Sequence, residues 1–341
     1  MINGLKVFSL FLILISFSSC SPGYVIRASY EELNILLKRR DIKELIQDSS
    51  LEQEKKDKLS LVLAVRKFCK ELGLVPKGSF SQYSEIDSDV LIWVLSGSLS
   101  YKLEPKTWWF PIVGSIPYKG YFSLEDAKEA REELRAGGFD TFLRSSDAFS
   151  TLGWFDDPLL STVLQRDKLI IANTVIHEIL HNTIWIKNNA AFNETMANAV
   201  GGIGAIEFFK SINDFETAQR AEESLKRELD YSKLLSETTK KLNALYEGHS
   251  KISDPLEQER QEIFTKFKIV LKSMSASKSI DTLTINNAYI IAQATYYKNL
   301  EVFHQLYEKQ GRSLKNMITD LKDLKEMTKD DPFNELANYA K

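Results

Sequence analysis

Two of the chain's four histidines, His177 and His181, stand four residues apart, and Glu178 directly follows the first. This is the H-E-x-x-H pattern. On a helix that spacing puts both imidazoles on one face, a turn apart, where they can ligate one zinc ion at about 2.0–2.1 Å. Glu178 is rotated by about 100° from His177, so its carboxylate flanks the ion and can act as general base toward a zinc-bound water. The pair is surrounded by Leu169, Ile170, Ala172, Val175, Ile176, Ile179, Leu180 and Ile184, a setting in which imidazoles without a ligand would be costly. A zinc site also needs a third protein ligand and an open position. Glu194 fits that need, because it opens a second apolar-periodic segment about a dozen residues after His181, and an antiparallel return would bring it to face the histidines. Asn198, one turn on, is placed to accept a hydrogen bond from a ligating histidine and hold its tautomer. His249 and His304 read as surface residues.

These residues require a helix, a reversal and a second helix. Apolar spacing is helical from Asp167 to Lys187 and from Asn193 to Phe209, with a short polar turn around Lys187 to Ala190 between them. An N-terminal helical pair precedes, from Tyr30 to Leu74, broken around Asp48. Residues 90–95, 108–122 and 139–144 are rich in β-branched and aromatic types and predict a small sheet, covered by a helix over Leu-Glu-Asp-Ala-Lys-Glu-Ala-Arg. From about 212 to 275 two charged helices, divided at Gly248 and Pro255, predict a helical hairpin elaboration that packs on the body of the chain. The stretch from Thr284 to Met317 is helical again, and the charged tail after Lys322 is expected to be loose. The fold class is therefore α+β, mainly α, with residues 20–341 as one domain.

The N-terminus reads as a targeting segment. Lys6 is followed by an apolar run from Val7 to Phe17, too short for a permanent bilayer span, and then by Ser18-Ser19-Cys20. Residues 1–19 are expected to be a lipoprotein signal peptide and Cys20 the lipid-bearing first residue of the mature chain. That places the protein in a bacterial envelope on the periplasmic side, and Ser21 rather than Asp after the cysteine favours the outer membrane. Cys69 is then a lone thiol in a helical stretch, an inert core residue. A balance of 44 Lys and Arg against 47 Asp and Glu leaves a net charge of −3 and no basic excess for nucleic acid.

The blocks W-x-F-P-I-V-G-x-x-P-Y-x-G-Y-F at 108–122, S-T-L-G-W-F-D-D-P-L-L at 150–160, H-E-x-x-H at 177–181, F-N-E at 192–194 and N-N-A at 286–288 resemble the bacterial putative-aminopeptidase family of H-E-x-x-H lipoproteins. Asn193-Glu194 also resembles the Asn-Glu that gives the third ligand in glutamate-type zinc peptidases. The resemblance implies a zincin-like metallopeptidase acting on peptides, with His177, His181 and Glu194 as zinc ligands and Glu178 as general base. Phe149 departs from the family's Tyr at that place. Oxyanion stabilisation by one further donor is usual in zinc hydrolases, and Tyr296 and Tyr297 are the candidates. Residues 150–153 read equally as a strand beside the substrate or as a turn that packs Trp154 and Phe155. The sequence offers no acidic segment for a substrate's free amine. A second reading is a noncatalytic envelope lipoprotein, in which a structural or vestigial metal site holds the fold and the hairpin binds a partner.

Overall fold

The structure is a computed structural model that describes residues 35–88, 90–110, 114–146, 156–275, 277, 279–327 and 331–340. Cys20, the targeting segment, Phe149 and residues 150–155 lie outside the described residues.

β1 (Arg40–Asp41) leads into α1 (Ile42–Gln47), whose cap is the Asp41 carboxylate accepting from the Lys43 amide at 2.7 Å. α2 (Gln53–Glu71) buries Leu59, Val62, Val65 and Cys69, a helical stripe. Five strands follow: β2 (Gln82–Ser84), β3 (Ile92–Leu99), β4 (Trp108–Phe110), β5 (Gly114–Ile116) and β6 (Lys119–Tyr121). α3 (Leu124–Ala136), capped by Ser123, connects to β7 (Phe139–Ser146). β8 (Leu159–Leu160) pairs parallel to β2, which also pairs antiparallel to β1. The run expected over 108–122 divides: β4 and β5 form a separate two-stranded hairpin, and its last part, β6, joins the expected sheet in the antiparallel order β6-β3-β7.

Alternation along β7 gives that sheet two different faces. Thr141 accepts from Arg135 of α3 at 3.0 Å, while Asp140, Phe142 and Arg144 point to the opposite side. There they meet α10 (Asn287–Tyr297), so the sheet has two covering helices rather than the expected one.

After α4 (Ser161–Leu164), the central pair is α5 (Lys168–His181) and α6 (Ala190–Ser211). α5 stops at His181, six residues short of the expected Lys187. The amides of Thr183 and Ile184 both turn back to the Leu180 carbonyl at 2.8 Å, and Ile186 is taken up by the Asn193 side chain. Most of α6 is buried, which is why its apolar residues run round the helix.

α7 (Phe215–Tyr246) and α8 (Asp254–Met274) form the expected hairpin, and α8 docks through Phe264 and Phe267. α9 (Ser279–Thr282) is a single turn before α10. The helical stretch predicted over 284–317 is divided. α10 is broken from α11 (Leu300–Lys309) at Asn299, with φ +53°, and α12 (Leu314–Met327) begins after Gly311, with φ +64°. The tail is not loose: α13 (Pro332–Ala340) buries Phe333 against Phe192 and Phe303, at ring distances of 5.1 and 6.3 Å. Three apolar residues, Phe333, Leu336 and Ala340, outweigh the surrounding charge.

Candidate functional site

α5 carries His177 and His181 one turn apart at its end, and α6 brings Glu194 to them near its start. The histidine Nε2 atoms are 3.2 Å apart, and Glu194 Oε2 lies 3.3 Å from His177 Nε2 and 3.7 Å from His181 Nε2. Among the described residues, these three form the group that can hold a metal ion. Donor atoms on one face of a tetrahedron with bonds of about 2.0–2.1 Å are separated by about 3.3–3.4 Å, so the triangle already has the size of such a face. Two neutral nitrogens and one carboxylate oxygen also suit zinc chemically.

Local sequence explains why Glu194 arrives there. Asn193 is fully buried, and its side chain accepts from the Ile186 amide at 2.9 Å and donates to the Ile186 carbonyl at 2.7 Å. It thereby closes the α5–α6 turn with two backbone-like bonds and fixes the start of α6. The Asn of the Asn-Glu pair is thus a positioning group, a role the sequence reading did not give it.

Electrostatics couple the three groups. Burial alone depresses the His177 imidazole, but the carboxylates of Glu194 and Glu178 reverse this and raise it. Burial alone would raise Glu194, yet the imidazoles of His181 and His177 hold it well below the usual carboxylate range. Glu178 contributes its field to the same cluster, and its Oε2 is buried without a hydrogen-bond partner, as is His181 Nδ1. His181 packs its ring against Trp185 at 5.5 Å. Asn198 hydrogen-bonds the His177 side chain and donates to the Tyr296 carbonyl at 2.9 Å, which ties the metal group to α10.

The two candidate tyrosines separate. Tyr296 lies in the field of Glu194 and Glu178 and accepts a hydrogen bond from Arg144 Nη2 at 3.1 Å. Tyr297 instead meets the Tyr231 ring edge-on at 5.2 Å, facing Glu228 rather than the metal group. Three more residues, Tyr118, Gly114 and Arg144, lie at the site or its approach, and the sequence reading gave them no role. Tyr118, between β5 and β6, has its hydroxyl pushed well up by burial and by Glu194, Tyr296 and Glu178. Gly114, at φ +81°, lets the β4–β5 hairpin approach Asn188 of the α5–α6 turn, where any Cβ would stand 2.5 Å from Asn188 Oδ1. Arg144 places its guanidinium 5.4 Å from the centre of the Tyr296 ring. A period-two reading of residues 139–144 would have put Arg144 on one face with Asp140 and Phe142. Tyr118 had no signal beyond its place in the 108–122 block.

The sequence pattern of the family described as "Putative aminopeptidase" matches residues 23–336. The chain belongs to that family. No curated protein and no solved structure matches it. Membership of an aminopeptidase family points to a peptidase, and it covers nearly all the described elements.

The other blocks quoted for the family resemblance have structural work. Asp156 accepts from the Gly78 amide at 2.8 Å, and the Asp157 amide donates to Ser79 Oγ at 3.2 Å, which anchors β8 beside the strand it pairs with. Asn286 caps α10, accepting from the Tyr289 amide at 2.9 Å. Cys69 is a fully buried free thiol that burial pushes up to about 12, in keeping with an inert core residue.

Proposed function

We propose that the protein is a zinc-dependent peptidase, an aminopeptidase of zincin-like design, with His177, His181 and Glu194 as ligands and Glu178 as general base. The observation that carries this is the triangle of 3.2, 3.3 and 3.7 Å between two imidazole nitrogens and one carboxylate oxygen, with Glu178 beside it. When bound there, zinc would polarise a scissile carbonyl and lower the pKa of water.

The chain's own residues supply the rest. Glu178 Oε2 has no protein partner, so it is free to take the proton of the attacking water and pass it to the leaving amine nitrogen. Glu194 and Asn198 hold His177 from two sides and fix its ring. The hydroxyl of Tyr296, with Arg144 behind it, is a donor for the developing oxyanion, and the Tyr118 hydroxyl is a second. Aminopeptidase specificity rests on the family. Anchoring through a lipid on Cys20, facing the periplasm at the outer membrane, is the further part of the proposal. Lys6, the apolar run and Ser18-Ser19 before Cys20 support it, and a Cys20→Ala chain that still carries lipid would refute it.

Hydrolysis by the zinc-loaded chain tests the activity. Short unblocked peptides should lose their N-terminal amino acid, and acetylated ones should be left intact. Glu178→Gln keeps the shape of the side chain but accepts no proton, so turnover should fall by about 10² to 10⁴ or more with stability nearly unchanged. Internal cleavage of blocked peptides would keep the metallopeptidase and remove the aminopeptidase; cleavage undiminished in Glu178→Gln would remove the mechanism.

A further inference from the structure

The sheet face that α10 covers holds two arginine side chains, and the chain pairs one of them. Arg260 reaches this face from α8 and meets two carboxylates, Asp140 at 3.0 Å and Glu257 at 2.9 Å. Arg144 stands on β7 itself, opposite Val94 of the central strand. Four strand residues, about 13 Å, separate it from Asp140, so that carboxylate is out of its reach. Arg144 Nη2 donates to the Tyr296 hydroxyl at 3.1 Å, and the guanidinium lies 5.4 Å from the centre of the Tyr296 ring. Among the described residues Arg144 forms no ion pair, and the rest of its fork of N–H donors is unused.

Three observations tie this cation to the metal group. Asn198, which hydrogen-bonds His177, donates to the Tyr296 carbonyl at 2.9 Å, so the residue that Arg144 holds by its hydroxyl is fastened to the ligand set by its backbone. Thr195, beside Glu194, donates to the Thr295 carbonyl at 3.4 Å and fastens the same turn of α10. The charged groups that act on both the Tyr118 and the Tyr296 hydroxyls are Glu194, Glu178 and Arg144. Two negative charges and one positive are thus gathered there. A divalent ion held by the metal group would balance the two carboxylates, which leaves Arg144 as surplus positive charge.

We propose that Arg144 receives the terminal carboxylate of a short peptide, so that the residue after the scissile bond is the last one and the substrate is a dipeptide. The assignment rests on the peptidase reading, with Tyr296 toward the oxyanion, and adds a substrate class to it. A carboxylate is flat and accepts parallel hydrogen bonds from a guanidinium fork, a geometry that a point charge does not offer. The spacing fits. In a dipeptide the carboxylate carbon lies about 3–4 Å from the attacked carbonyl carbon, across one nitrogen and one Cα. Arg144 lies one hydrogen bond behind the hydroxyl that would face that carbonyl. A longer peptide brings a neutral amide to the same place and leaves the guanidinium without a counter-charge.

Binding separates this assignment from the activity it rests on. In the zinc-loaded full chain carrying Glu178→Gln, peptides should be bound and not cleaved, so calorimetry reads their affinity directly. Leu-Phe should bind at least about 10-fold more tightly than Leu-Phe-amide, which lacks the terminal charge. Adding Arg144→Met should weaken Leu-Phe by about 10- to 100-fold and leave Leu-Phe-amide within about 2-fold. Arg144→Lys, which keeps the charge and loses the fork, should fall between. Zinc content and circular dichroism show that each variant is folded. If Arg144 serves only to position Tyr296, Arg144→Met weakens both ligands alike, and that result overturns the assignment. Equal affinity for Leu-Phe and Leu-Phe-amide with Arg144 intact overturns it whatever the variants do. Leu-Asp-amide carries its carboxylate on a side chain, and tighter binding of it than of Leu-Phe would overturn the chain-end assignment in favour of an acidic side chain. An Arg144-dependent preference for Leu-Phe, without cleavage of any peptide by the wild type, supports the carboxylate subsite and removes the peptidase reading.

Discussion

The two ends of α10 rest on the same face of β7, and they treat buried charge in opposite ways. At the first turn, Asp140 accepts from Arg260 Nη2 at 3.1 and 3.0 Å and from the Asn287 amide at 3.0 Å. Asn287 also donates to the Leu99 carbonyl and accepts from Tyr246, both at 2.8 Å. Four elements, β3, β7, α7 and α8, are thereby pinned to the helix. At the last turn, Arg144 meets Tyr296, but Glu178 Oε2 and His181 Nδ1 close by are left without partners, whereas Arg260 Nε at the first turn, which makes no hydrogen bond, is still ion-paired with Glu257 Oε2 at 2.9 Å. The distances agree: four strand residues from Asp140 to Arg144 span about 13 Å, as do nine helical residues from Asn287 to Tyr296. A buried polar group costs free energy unless it is paired. The closed end therefore reads as a structural pin, and the open end as a place that a ligand completes.

Breaking the pin should have the largest effect on stability. Arg260→Met leaves Asp140 buried without its charge partner, at a cost of about 3–5 kcal/mol in urea denaturation. Zinc bound per folded molecule should stay the same, because the pin lies at the other end of the helix. At the open end, Asn198→Ala frees the His177 ring and should lower zinc affinity by about 10 to 100-fold in a chelator competition, while metal-free stability falls by only about 1–2 kcal/mol, through the lost bond to the Tyr296 carbonyl. If the two variants exchanged their effects, the contrast between the ends would fail.

Glu228 sharpens the same contrast through pH. Its carboxyl is raised to about 7 in the folded chain from 4.5 unfolded, so between those values the folded state binds more protons and stability falls as pH rises. Glu228→Gln removes that loss. The variant should be more stable than the wild type by about 1–2 kcal/mol at pH 8 and equal to it near pH 4, as measured by denaturation at both values. The smallest effect is at Cys69, whose thiol burial pushes up to about 12. Iodoacetamide at pH 8 should label it in denaturant and leave the native chain unlabelled.

How far these features can be read from the sequence varies with how local their cause is. His177, Glu178 and His181 share one helical turn, so their arrangement follows from spacing alone. Glu194 was legible because a helix, a tight turn and a returning helix leave little freedom. The exact end of α5 was not, since it depends on Asn193 reaching back across the turn to Ile186. Tyr118 and Arg144 come to the site from strands far away in the chain, through the sheet order β6-β3-β7 and the seating of α10 on it. No local pattern encodes that pairing. Glu228 looked like one of many acids on a charged helix, and only the packing of α7 along α5 and α6 separates it from the solvated ones. The α13 helix was missed because three buried apolar residues are a weak signal in a charged tail.

In the proposed site, His177, His181 and Glu194 hold one zinc ion while Glu178 stands beside it. The most direct measurement is the metal content of the purified chain after zinc loading and dialysis, compared across the wild type, Glu178→Gln and Glu194→Ala. About one zinc is expected in the wild type and in Glu178→Gln, and none retained in Glu194→Ala. Zinc retained by Glu194→Ala but lost from Glu178→Gln would contradict it, exchanging ligand and base.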